Sequence, residues 1–91
     1  MAVKVRVGAV LQRRLGGSKN VDAQGKTIRE VLDDLDRRFP GFKGHIITEG
    51  CQLHRFVSVF LNDEDILFLG ELDTPVKDGD SITILPSVAG G

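Results

Sequence analysis

The chain has 91 residues, of which 41% are apolar and 27% are charged, and its formal net charge is -1. A chain of this length forms one domain that buries about 60 to 65% of the surface its unfolded form exposes. Because the charges nearly balance, nothing in the composition favours binding to nucleic acid or to a membrane surface. One cysteine excludes an intramolecular disulfide, and one cysteine with two histidines makes a structural zinc site implausible. The N-terminal residues alternate in polarity, so we expect no signal peptide and a cytoplasmic protein.

The N-terminal segment predicts a β-hairpin. Valines at positions 3, 5 and 7 alternate with Lys4 and Arg6, which is the period of a strand with one buried and one exposed face. Glycines at positions 16 and 17 interrupt the chain, and residues 19–23 are the candidate second arm.

A single amphipathic helix follows. Thr27 and Glu30 have the spacing of a capping box, in which both side chains satisfy backbone N–H groups at a helix start. Pro40 and Gly41 end the helix, because proline disfavours helical dihedral angles at the residue before it. The apolar stripe that we expect to face a sheet consists of Ile28, Val31, Leu32, Leu35 and Phe39.

Residues 42–55 have no regular period, and we interpret them as an irregular connection. The segment contains Cys51, His45 and His54. The histidines are nine residues apart, unlike a helical metal-binding pair, and the sequence around the cysteine has no pattern of a catalytic thiol. Structural roles are therefore expected for all three, with no metal bound.

The C-terminal half predicts three strands. Residues 56–61 form the first, the apolar run 66–69 forms a short second strand that ends at Gly70, and residues 81–85 form the third after the turn at Asp78-Gly79-Asp80. The acidic residues at positions 63–65 lack the spacing of a calcium loop and read as a solvated turn. In the strand 56–61 one face carries Val57, Val59 and Leu61, and the other carries Phe56, Ser58 and Phe60.

The predicted element order is strand, strand, helix, strand, short strand, strand. The first and last strands can lie parallel, because the helix-containing middle supplies the long crossover that parallel neighbours need. A mixed sheet of four to five strands with one main helix across one face is an α+β roll.

The sequence ends in a short glycine-rich tail. We expect a folded domain over residues 1–86 and a flexible tail over residues 87–91, which contains Val88, Ala89, Gly90 and Gly91. Glycine lacks a Cβ, so such a tail can enter a narrow enzyme channel in backbone conformations that other residues resist. At about 3.3 to 3.6 Å per extended residue, the tail reaches roughly 17 Å beyond the domain.

These features together resemble the β-grasp, ubiquitin-like sulfur carriers of the ThiS, MoaD and CysO families. The resemblance covers the whole chain, from the hairpin and helix to the final strand that leads into Gly-Gly. It is most specific at residues 78–80 and 85–91, whereas residues 54–57 and 59–65 resemble the CysO branch.

The resemblance implies a carrier that is a substrate and not an enzyme. The Gly91 carboxylate would be adenylated with ATP by a ubiquitin-activating-type adenylyltransferase and converted to a thiocarboxylate, with no cofactor bound to the carrier. The sulfur would pass to a PLP-dependent cysteine synthase in the CysO branch, to molybdopterin synthase (its large subunit) in the MoaD branch, or to a thiazole in the ThiS branch.

The chemistry of the tail is consistent with this role. A terminal carboxylate has an ordinary pKa of about 3.3 to 3.7, so it is an anion at neutral pH and must be activated before a nucleophile can attack it. A ubiquitin-like protein modifier would use the same activated end with a lysine amine as the acceptor. A β-grasp adaptor, the third alternative, would not need the glycines.

A carrier also needs a docking surface, because ordering a five-residue tail costs about 1 to 2 kcal/mol per residue in backbone entropy. The strand face that points away from the helix is the candidate. It would present Phe56, Phe60, Leu85 and Arg6. The alternative is that the irregular segment covers this face.

Overall fold

A computed structural model describes residues 2–47, 53 and 57–86 of the chain. These residues form a five-stranded mixed sheet with one eleven-residue helix across one face. The elements are β1 (Ala2–Val7), α1 (Ala9–Gln12), β2 (Asn20–Gln24), α2 (Ile28–Arg38), β3 (Val57–Leu61), β4 (Glu64–Asp65) and β5 (Ser81–Pro86). The strand order is β2-β1-β5-β3-β4, which confirms the predicted α+β architecture.

The predicted hairpin and the predicted parallel pair are both present. β1 pairs antiparallel with β2 and parallel with β5, and its three valines are buried while the residues between them are exposed. The connection between β1 and β2 contains α1 and a 3-10 turn at Arg13–Leu15, neither of which the sequence pattern predicted. This short helical segment carries Leu11 and Leu15 into the core.

Helix α2 begins as predicted, with one difference in its cap. The Glu30 N–H donates to Thr27 Oγ1 at 3.2 Å, but the Glu30 carboxylate accepts from the Lys26 N–H at 3.0 Å, one residue before the helix N-cap. Gly25 makes this tight entry possible, because a Cβ there would lie 2.7 Å from the Val31 nitrogen. The predicted stripe faces the sheet, with Ile28, Val31, Leu32 and Leu35 fully buried and Phe39 partly buried beyond the helix end.

The prediction of a short strand over residues 66–69 is wrong. β4 is the two-residue strand immediately before this run, and Ile66–Phe68 is a 3-10 turn. The Asp65 carboxylate accepts from the Leu67 N–H at 2.9 Å, and this local hydrogen bond turns the backbone out of the extended conformation. Only Ile66 of the apolar run is buried in the core.

The described part of the predicted irregular connection has no long helix or strand. It contains a 3-10 turn at Lys43–His45 and an isolated bridge between Ile47 and Leu53. Buried Phe42 ties this segment to the core, and His45 is exposed. Cys51 and His54 lie outside the described residues.

A polar network fixes the start of β5 against the β3–β4 turn. Asn62 Nδ2 donates to Asp80 Oδ1 at 3.0 Å, and the Lys77 N–H donates to Asp80 Oδ2 at 2.8 Å. These hydrogen bonds hold the pKa of the Asp80 carboxyl below its usual value. Asn62 Oδ1 in turn accepts from the Ser81 N–H at 2.9 Å, so the network sets the register in which β5 enters the sheet.

Candidate functional site

Strand β5 is the element that presents the tail. It lies at the centre of the sheet between β1 and β3, and Ile82 and Ile84 bury their side chains completely against the core. The strand ends at Pro86, which pairs with Val57 at the start of β3. The tail therefore continues from a strand that is held on both sides. Its residues Val88, Ala89, Gly90 and Gly91 lie outside the described residues.

The sheet register brings the predicted docking residues together. Thr83 on β5 pairs with Arg6 on one side and with Phe60 on the other. Leu85 is two residues further along β5, where it pairs with Ser58, and side chains two apart on a strand point to the same face. Arg6, Phe60 and Leu85 thus surround Thr83 on the face opposite α2. Phe56 lies outside the described residues.

This surface, called the open face below, combines apolar area with a cation. Leu85 is 40% exposed, Phe60 is partly buried, and Arg6 is exposed. Among the described residues, the four ion pairs leave the guanidinium of Arg6 without a carboxylate partner. An apolar patch with an unpaired arginine is complementary to a partner protein surface that has exposed apolar side chains and a carboxylate.

The rest of the described chain offers no competing chemical site. Over residues 2–47, 53 and 57–86, no group of three histidine, cysteine, aspartate or glutamate side chains is placed to hold a metal ion. The charged depression between β2 and α2 is internally satisfied, because Asp34 accepts from Arg37 at 2.7 Å and from the Gln24 N–H at 3.1 Å. None of the described helices has the length and apolar character needed to cross a membrane.

Comparison with known proteins identifies the family. The model of the ThiS family matches residues 5–91. The chain belongs to the ThiS family. It is 43% identical over 93 residues to the sulfur carrier protein CysO of Mycobacterium tuberculosis, with 100% of both chains covered. It is similar to a chain in the crystal structure of the Amycolatopsis orientalis BexX/CysO complex, with 47% identity, a TM-score of 0.91, and coverage of 98% of this chain and 99% of that one.

A third similarity is to an archaeal modifier. The solution structure of the small archaeal modifier protein SAMP1 from Methanosarcina acetivorans has 31% identity and a TM-score of 0.85, with 99% of this chain and 96% of that one covered. The similar structures confirm the predicted β-grasp, ubiquitin-like fold. Relatives of this ThiS-family chain are named sulfur carrier proteins, which confirms the prediction of a carrier instead of an enzyme.

One exposed feature was missed by the sequence analysis. The side chains of Leu67, Phe68 and Leu69 are 57%, 86% and 40% exposed, whereas a strand over this run would have buried part of them. The signal was Asp65, which stands two residues before Leu67 and can accept its N–H as a local cap.

Proposed function

We propose that this ThiS-family chain is a sulfur carrier whose Gly91 carboxylate is adenylated and then converted to a thiocarboxylate, with cysteine biosynthesis as the destination of the sulfur. The observation that carries the proposal is the similarity to CysO over 100% of both chains together with a family match that extends to residue 91. The tail is therefore part of what the chain shares with named sulfur carriers.

The proposed reaction needs no catalytic group on the carrier. A Gly91 carboxylate oxygen attacks the α-phosphorus of ATP and pyrophosphate leaves, which gives an acyl adenylate. A hydrosulfide ion supplied by a partner then attacks the acyl carbon, AMP leaves, and loss of the S–H proton gives the thiocarboxylate. The activating enzyme has to stabilise the charge that develops in both steps, and the carrier contributes an accessible carboxylate on a narrow tail.

The partners follow from these two stages. A ubiquitin-activating-type adenylyltransferase would hold the open face while the tail enters its active site, and contacts of Arg6, Phe60 and Leu85 would offset the cost of ordering the tail. A second protein would accept the sulfur. The similar chain of Amycolatopsis orientalis forms a complex with BexX, which supports a sulfur-acceptor partner for this chain as well, with a PLP-dependent cysteine synthase as our candidate.

A protein-modifier role is the second candidate. It is favoured by the 31% identity to SAMP1 over 99% of this chain. In that role a lysine amine, and not sulfur, attacks the same acyl adenylate. A MoaD-like role in molybdopterin synthesis would use the same activated tail, and it stays a prediction.

We expect Leu85→Ser to lower the efficiency of adenylation roughly 10-fold, because it removes an apolar contact from the centre of the proposed docking surface. The measurement is ATP–pyrophosphate exchange with a ubiquitin-activating-type adenylyltransferase at several carrier concentrations. Leu69→Ser is the matched control, since Leu69 and Leu85 are both 40% exposed but Leu69 lies off the open face. Equal activity of the two variants would contradict the assignment of the open face.

A further inference from the structure

The turn formed by Leu67, Phe68 and Leu69, here called the apolar turn, is the largest exposed apolar feature among the described residues. Phe68 is 86% exposed, and its two neighbours are at least 40% exposed. Single exposed apolar side chains are ordinary, but three consecutive ones on a short turn are a feature of interaction surfaces. Aromatic residues are also enriched at the centres of protein interfaces.

The apolar turn is held in a defined conformation. Ile66 anchors it in the core, the Asp65 carboxylate caps it, and the Leu69 N–H donates to the Ile66 carbonyl at 3.0 Å. On its C-terminal side the Gly70 N–H donates to Thr74 Oγ1 at 2.9 Å, and Thr74 is buried. The exposed side chains are therefore presented on a fixed backbone, which lowers the entropy cost of binding them.

Acidic side chains surround the apolar turn. Residues 62–73 contain five acidic residues and no lysine or arginine. Asp73 pairs with Arg29 at 3.3 Å, and Asp65 is used as the cap. The other three, Asp63, Glu64 and Glu71, are exposed. A complementary surface would hold an apolar pocket with lysine or arginine at its rim.

The apolar turn follows β4, whose Asp65 pairs with Phe60 opposite Thr83 of β5, three residues before that strand ends. The 3-10 turn at Ile66–Phe68 contacts β3, and β3 pairs with β5, so two strand spacings of about 10 Å in total separate it from β5. β5 ends at Pro86, beside the start of β3. A partner that receives the tail and covers about 800 Å² of this chain, the usual area per partner, has a footprint wide enough to reach the apolar turn.

We infer that the apolar turn is a second docking surface, and that its occupant is the protein that takes sulfur from the tail, through an apolar pocket with a basic rim. The inference rests on the proposed function. The three apolar side chains of the turn together offer less than the roughly 800 Å² per partner of a stable interface, so the apolar turn alone is too small to hold a second copy of this chain. Once a partner holds the tail, binding of the apolar turn to the same partner is an intramolecular step, so even this small surface increases the affinity.

The test measures, by isothermal titration calorimetry, binding of the full chain to the candidate acceptor named above, the PLP-dependent cysteine synthase of its own host. We expect Phe68→Ser to raise Kd at least about 10-fold, as for a central aromatic contact. Glu71→Lys should raise Kd at low salt, with an effect that shrinks as salt is added. Asp22→Lys is the matched charge control on the far edge strand, where the Asp22 backbone carbonyl, and not its carboxylate, accepts from Arg38, and it should bind like the wild type.

The outcomes separate the inference from the proposed function. If the wild-type chain binds the acceptor and both Phe68→Ser and Glu71→Lys bind with the same Kd, the second docking surface is wrong. The proposed function is then unaffected. No binding by the wild-type chain would contradict the proposed function and the inference with it. Phe68→Ser should also keep wild-type pyrophosphate exchange, and an equal loss in that assay would overturn the assignment to the acceptor. If analytical ultracentrifugation shows that the wild-type chain is a dimer and that Phe68→Ser is a monomer, the apolar turn binds a second copy of the chain and not the acceptor.

Discussion

Deletion of Gly90 and Gly91 abolishes ATP–pyrophosphate exchange with the activating enzyme and leaves thermal unfolding nearly unchanged; this is the largest functional effect that we expect. The side chains that β5 buries among those described are Ile82 and Ile84, and the strand ends at Pro86, before the tail. Removing two residues beyond that point takes no buried side chain from the core. It withdraws the carboxylate by about 7 Å, which is far beyond the tolerance of an active site.

Deletion of Gly91 alone is the informative companion variant. It leaves a free carboxylate on Gly90, shortened by about 3.3 to 3.6 Å. We expect this variant to be inactive as well, because activation requires the carboxylate at the α-phosphorus of ATP and not merely a carboxylate near it. Full exchange activity without Gly90 and Gly91 would contradict the carrier mechanism at its first step.

Leu35→Ala has the largest expected effect on stability, a loss of roughly 2 to 5 kcal/mol in the free energy of unfolding. Leu35 lies in the buried stripe of α2 with none of its surface exposed, and it packs in the same core as the inward residues of β1 and β5. Truncation leaves a cavity between helix and sheet that neighbouring side chains fill only in part. Urea denaturation followed by circular dichroism measures the change.

The control for this variant is Arg37→Ala on the same helix. Arg37 has a side chain that is 76% exposed and pairs with Asp34 three residues earlier, so its removal should cost no more than about 0.5 kcal/mol. If Leu35→Ala also cost less than about 0.5 kcal/mol, the range of surface substitutions, the packing of α2 on the sheet would be wrong.

The period of apolar residues in the sequence was sufficient to predict the strand and the helix that bury one face. The valines of β1 and the stripe of α2 repeat at the spacing of their element, and the Thr27 cap marks where the helix begins. Periodicity failed for short elements. Helix α1 has four residues and its N-cap, Gly8, has no side chain to form a capping hydrogen bond, so its sequence carries little signal.

The run 66–69 shows the opposite limit. Its apolar composition predicted a strand, but the Asp65 cap ends the pairing after β4. The pairing itself begins at the two-residue turn of Asn62 and Asp63, both with positive φ. To predict the open face, the strand register is needed as well as the alternation of side chains, because Arg6 and Phe60 are brought together by their shared partner Thr83. The role proposed for Gly91 depends on a partner enzyme, so it came from family resemblance and not from folding physics.

Attachment of sulfur to Gly91 can be read from intact-protein mass spectrometry of the Cys51→Ser chain isolated from its native host. This variant has no thiol, so any alkylation by a thiol reagent reports a C-terminal thiocarboxylate. We predict a form in which one oxygen is replaced by sulfur and which the reagent caps at Gly91. Isopeptide remnants of Gly90 and Gly91 on lysines of other proteins, with no thiocarboxylate form of the chain, would contradict the account and favour the protein modifier.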